Sequence, residues 1–149
     1  MTFKDQIKYR YLQTIQDRID VFRDMVAGLT TDSKNDAKGS AGDKHETALA
    51  MMHIEQEKLN HKIQEYLDSQ AAFTAIDYTK MATKVIPGSL VLANDSYFLV
   101  SIALPKVMVQ GQTVYGISPQ SPLAVALLGK EVGHSFEING TAYKVYQII

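Results

Sequence analysis

Apolar residues in the first third of the chain recur at helical spacing. Ile7, Tyr11, Ile15, Ile19, Phe22, Val26 and Leu29 are separated by steps of 4, 4, 4, 3, 4 and 3. On a helix those positions form a single apolar stripe. Charges such as Lys8, Asp17, Arg18, Arg23 and Asp24 fall mostly off it. A second pattern runs through Ala48, Met52, Leu59, Ile63 and Tyr66 to about Ser69, with neither Gly nor Pro inside it. Two helices of about 25 residues are predicted, each roughly 38 Å long at 1.5 Å per residue. Residues 30–42 between them are small and polar and read as a loop. Each helix has one stripe to hide, and the other helix is the simplest cover. An antiparallel coiled-coil hairpin over 1–77 follows.

After Asp77 the period changes. Val85-Ile86, Leu90–Leu92, Tyr97–Val100, Val107–Val109 and Tyr143–Tyr146 are short β-rich runs, with turn signals at Asn94-Asp95, Gly111 and Asn139-Gly140. One short helix interrupts them at Pro122–Leu128. Ser121 suits its N-cap, Pro122 its first turn and Gly129 the position just past its end. The expected class is α+β: the hairpin, then a small antiparallel β domain over 78–149 wrapped on one helix.

Composition narrows the chemistry. A net charge of −1 argues against whole-protein attraction to nucleic acid. Residues 1–77 hold 10 Lys/Arg against 13 Asp/Glu, a balance of −3, and residues 78–149 hold 5 against 3, a balance of +2. With no cysteine, disulfides, zinc-thiolate sites and thiol nucleophiles are excluded. The start lacks a signal-peptide layout, and no apolar run approaches the roughly 20 residues that span a bilayer. A soluble, cytoplasmic protein is expected.

The candidate chemistry lies between the helices, in Gly42-Asp43-Lys44-His45-Glu46-Thr47. Asp43 and Glu46 are three residues apart, so on a helix both carboxylates leave the same side. The same spacing suits a capping box, in which both groups bond the first turn of the second helix. His45, His53 and His61 recur every eight residues and drift around a helix by about 80° each time, so they do not converge on one metal. Gly39–Lys44 follows a helix rather than a strand and lacks the Lys-Ser/Thr pair of a phosphate loop.

Two segments carry a resemblance. Gly42-Asp43-Lys44-His45-Glu46-Thr47-Ala48 is similar to the Gly-Asp-x-x-Glu-Asn-Ala motif of the Gre family of bacterial transcript cleavage factors. Ser121-Pro122-Leu123-Ala124-Val125-Ala126-Leu127-Leu128-Gly129-Lys130 resembles that family's Ser-Pro-Ile/Leu-Ala-x-x-Leu-Ile/Leu-Gly-Lys. With the closing strand at Tyr143–Ile148 and the boundary at Ala75-Ile76-Asp77, the likeness covers nearly the whole chain. It implies an FKBP-like second domain that docks on bacterial RNA polymerase through Ser121 and Pro122. It implies also that the hairpin enters the secondary channel and brings Asp43 and Glu46 to the catalytic centre. There they would help to hold a second Mg2+ shared with the polymerase, promoting cleavage of backtracked RNA. Lys44, His45 and Thr47 become possible tip contacts, and contact with nascent RNA is indirect. A monomer with no nuclease activity of its own is expected.

The chain departs from the motifs at Thr47, where the family has Asn, at Gln120 before the Ser-Pro, and at Gly133-His134 after the helix. A second reading therefore stands beside the first: a secondary-channel regulator or inhibitor that does not stimulate cleavage. A third is an unrelated coiled-coil interaction protein that dimerises through the Ile15, Ile19, Leu59 and Ile63 seam.

Overall fold

The computed structural model describes the backbone at residues 1–37 and 42–149, with side chains described outside 32–45. Helix α1 runs Phe3–Ala37 and α2 runs Gly42–Thr74. The start of α1 is a reciprocal capping box. Asp5 N donates to Thr2 Oγ1 at 3.0 Å and Thr2 N donates to Asp5 Oδ2 at 3.1 Å. Both helices are longer than the hydrophobic periodicity indicates, and the expected loop at 30–42 is corrected accordingly. Residues 30–37 continue α1, and α2 begins at Gly42 rather than Ala48. The physical reason is local. No Gly or Pro falls between Leu29 and Ala37 to stop the helix, and the back-bonds from the Thr30 and Thr31 hydroxyls to the carbonyls of Val26 and Ala27 disfavour it only slightly.

Two compact units make up the chain: Gln13–Gln70, and Met1–Leu12 together with Ala71–Ile149. The first is the helical hairpin. Ile15, Ile19 and Ile63 are buried along its seam, and the Phe22 and Tyr66 rings meet at 5.7 Å. Gln70 Nε2 donates to Gln16 Oε1 at 3.0 Å, and Gln56 Nε2 donates to Thr30 Oγ1 at 2.9 Å. Later residues of α1 thus face earlier residues of α2, which makes the pair antiparallel. These polar crossings fix its register, as polar seam positions do in coiled coils. No helix among the described residues is long and apolar enough to cross a membrane.

The second unit holds a six-stranded sheet. Its strands are β1 (Leu90–Ala93), β2 (Ser96–Val100), β3 (Leu104–Val109), β4 (Gln112–Ile117), β5 (Ser135–Ile138) and β6 (Thr141–Ile148), with helix α3 at Pro122–Leu127. The order across the sheet is β3-β4-β2-β1-β6-β5. Four of the pairings are antiparallel as expected, but β2 and β4 run parallel. The β3–β4 hairpin causes this: β3 takes the outer place and its return strand lies against β2, so β4 runs the same way as β2. At the β3–β4 turn Gln110 and Gly111 both have positive φ (52° and 73°), and Asn139-Gly140 repeats this (51° and 80°) between β5 and β6. Such primed turns match the right-handed twist of the strands they join.

Val85, Val91, Val100, Leu127 and Val145 form the core of this unit, with Ile117, Leu123, Leu128, Phe136 and Ile148 packed on it. Each large side chain so buried stabilises the fold by about 1.5–3 kcal/mol. Val85, expected in a strand, lies outside the sheet ladder. Its amide donates to Lys130 O at 2.9 Å and its carbonyl accepts from Gly129 N at 2.8 Å, tying the segment before β1 to the end of α3.

Candidate functional site

Two places carry the residues singled out by the sequence, and they belong to different units. One is the turn end of the hairpin. Asp43 and Glu46 are in the opening turns of α2, where the exposed N–H groups and the positive end of the helix dipole favour carboxylates. Glu46 and Thr47 are exposed. The side chains of Asp43, Lys44 and His45 lie outside the described residues, so the capping-box geometry at Asp43 does as well. Along α2 about 36 Å of helix separate Glu46 from Gln70. The carboxylate of Glu46 is therefore remote from the opposite end of its own hairpin.

The chemistry of this donor set can be tested against a divalent ion. Mg2+ takes hard oxygen ligands, commonly one or two carboxylates with water and phosphate completing an octahedron. Glu46 is such a ligand, exposed and sterically open. Among the described residues no group of three or more His, Cys, Asp or Glu converges to hold a metal. His53 and His61 are exposed on α2.

The other place is the start of α3. Ser121 is the N-cap, with φ −66° and ψ 150°. Its Oγ accepts from Ala124 N at 3.2 Å and donates to Ser118 O at 2.8 Å. Pro122 follows in the first turn, where its missing N–H costs no hydrogen bond. Gly129, past the end of the helix, has φ +78°, the left-handed conformation its position requires. Ala124 and Leu127 point into the core, while Pro122 and Val125 are exposed. Being three residues apart, Pro122 and Val125 share one side of the helix. Val125 is 62% exposed, a large apolar residue at the surface beside the capped corner. Reading α3 for its caps alone passes over Val125, although the i, i+3 spacing from Pro122 signals it.

Comparison with protein-family models, curated proteins and solved structures finds no match in any of the three.

Proposed function

We propose that this chain is a Gre-like factor of bacterial transcription. Docked on RNA polymerase, it would pass its hairpin through the secondary channel and stimulate cleavage of backtracked RNA. The observation that supports this reading most directly is the position of Asp43 and Glu46. They open α2 at the turn end of an antiparallel pair whose α1 and α2 span 35 and 33 residues. Such a hairpin can present carboxylates about 36 Å along α2 from its own opposite end. The motif likeness around Gly42–Ala48 and Ser121–Lys130 gives the reading its partner. Pro122 and Val125 offer an apolar docking side on a rigidly capped helix.

In this reading Asp43 and Glu46 act as ligands rather than as a nuclease. They would help to hold a Mg2+ shared with the polymerase, and such an ion would supply water activation and charge neutralisation at a phosphodiester. The hairpin orients the carboxylates, and Lys44, His45 and Thr47 contact the surroundings of the tip. Cytoplasmic location is part of the proposal.

Cleavage of RNA in an arrested elongation complex, with and without the protein, tests it. The protein should accelerate Mg2+-dependent cleavage. Asp43→Ala and Glu46→Ala should each lower that stimulation by at least about tenfold, as loss of metal-site groups does, while helical circular dichroism is unchanged. Full stimulation by both variants would remove the carboxylates from the mechanism. Thr47, exposed where the Gre motif has Asn, favours a second reading in which the protein binds polymerase and slows elongation without cleavage. The same assay separates the two.

A further inference from the structure

A row of aromatic rings crosses one face of the sheet. Phe98 of β2 and Tyr115 of β4 are direct register partners, so their side chains share a face. Their rings stack, with centroids 5.5 Å apart and planes inclined by 16°. The Phe98 ring meets Tyr143 of β6 edge to face at 6.4 Å. Tyr143 is in turn the register partner of Phe136 in β5, and these two rings stack at 5.3 Å and 13°. His134 stacks on Phe136 at 5.6 Å and closes the row. Phe98 is buried at the centre, while Tyr115, Tyr143, Phe136 and His134 are half-buried.

Charge is kept off this face. The only Asp, Glu, Lys or Arg residues in β1, β2, β4, β5 and β6 are Glu137 and Lys144. Both are chain neighbours of ring positions, so strand alternation sends them to the opposite face. Two donors nevertheless stand in the row. Among the described residues neither the Tyr115 nor the Tyr143 hydroxyl has a hydrogen-bond partner within the protein, whereas tyrosine hydroxyls removed from water usually find one. From β4 to β5 the row crosses the order β4-β2-β1-β6-β5, four strand spacings or about 19 Å.

We infer that this face docks a proline-rich segment of a partner protein in the polyproline II conformation. Two turns of that helix, six residues, extend roughly 19 Å, the width of the row. Its backbone makes no internal hydrogen bonds, so its carbonyls can accept from Tyr115 and Tyr143. Its pyrrolidine rings pack on aromatic surfaces, and the two stacked pairs supply them. A nucleic-acid strand also stacks on rings but needs cations for its phosphates, and the strands of the row offer none. An added β-strand needs a sheet edge rather than a face. The inference uses neither Asp43 and Glu46 nor the α3 corner, so it stands or falls apart from the polymerase reading.

Titration of the full-length chain with acetylated, amidated hexaproline, followed by calorimetry and by NMR of the tyrosine and phenylalanine rings, tests the inference. The Tyr115, Tyr143 and Phe136 signals should shift. A flexible alanine-glycine hexamer should bind on the order of tenfold more weakly, since it is not preorganised. Tyr115→Phe and Tyr143→Phe keep the rings and should each weaken hexaproline binding about fivefold, the loss of one neutral hydrogen bond. Unmoved ring signals, equal binding of the two peptides, or undiminished binding by both variants would overturn the inference. So would tighter binding of hexathymidylate, or a dimer whose dilution moves the same ring signals. Should a variant fail to fold, the comparison of the two peptides on the unaltered protein decides alone.

Discussion

Tyr11 and Phe73 meet edge to face, with ring centroids 6.2 Å apart and planes inclined by 68°. Both are fully buried, one from the early turns of α1 and one from the last turn of α2. The Tyr11 hydroxyl continues past this contact to the carbonyls of Pro105 and Val114, at 3.0 and 3.2 Å. Tyr11→Phe keeps the ring and removes a donor that serves two strands. We expect a loss of about 1–2 kcal/mol in urea unfolding. Tyr11→Ala, which also empties the ring's volume, should cost about 3–5 kcal/mol. Equal losses in the two variants would mean that the ring packs poorly.

Alkaline pH should destabilise the protein through Tyr11 and Tyr78. Burial raises the pKa of both phenols, so the folded state holds their protons more tightly than the unfolded chain does. The resulting stabilisation is complete below the unfolded value near 10 and is lost as pH climbs above it. Unfolding free energy measured between about pH 8 and 12 should fall at the upper end. In a Tyr11→Phe, Tyr78→Phe double variant the fall should be shallower, because every other titration is common to both proteins.

Gly88 has φ +94°, and a Cβ built there would sit 2.4 Å from the carbonyl oxygen of Asp77. Both the conformation and the close backbone approach require glycine. Gly88→Ala should cost about 2 kcal/mol or more, read as a lower melting temperature. Gly111→Ala serves as the comparison, since its φ is +73° but nothing lies within 4 Å. It should lose only the conformational part, about 1 kcal/mol.

On α3, stability and docking separate. Ser121→Ala removes the cap on Ala124 N and should destabilise the fold by about 1 kcal/mol. Val125→Glu changes an exposed position and should alter stability by no more than about 0.5 kcal/mol. Under the proposed function it should nonetheless weaken binding to RNA polymerase in a pull-down or fluorescence titration. Unaltered polymerase affinity in Val125→Glu would move the docking side elsewhere.

Helix α1 was legible because its stripe is clean: Ile7, Tyr11, Ile15 and Ile19 are all buried as their spacing requires, the first two within the unit that holds the sheet. Its length was not. Thr30, Thr31, Asp32 and Ser33 are weak helix formers, and no apolar residue falls between Leu29 and Ala37 to mark the continuation. Strand β4 escaped for the opposite reason. Gly116 interrupts its run, yet a Cβ there would lie 2.5 Å from Leu104 Cβ, so the glycine is what lets β3 and β4 pair closely. The caps of α3 at Ser121 and Gly129 were plain in one dimension because they are local. The row of rings was not, since it depends on β4 lying beside β2 and on Phe98 reaching Tyr143 across β1.

The unit that contains the sheet draws its pieces from distant stretches of sequence. The carbonyl of Val114 that Tyr11 engages is translated 103 residues after Tyr11 itself. Tyr11 must therefore wait for strands made much later, whereas the contacts of Gln13–Gln70 are complete once Gln70 has cleared the exit tunnel.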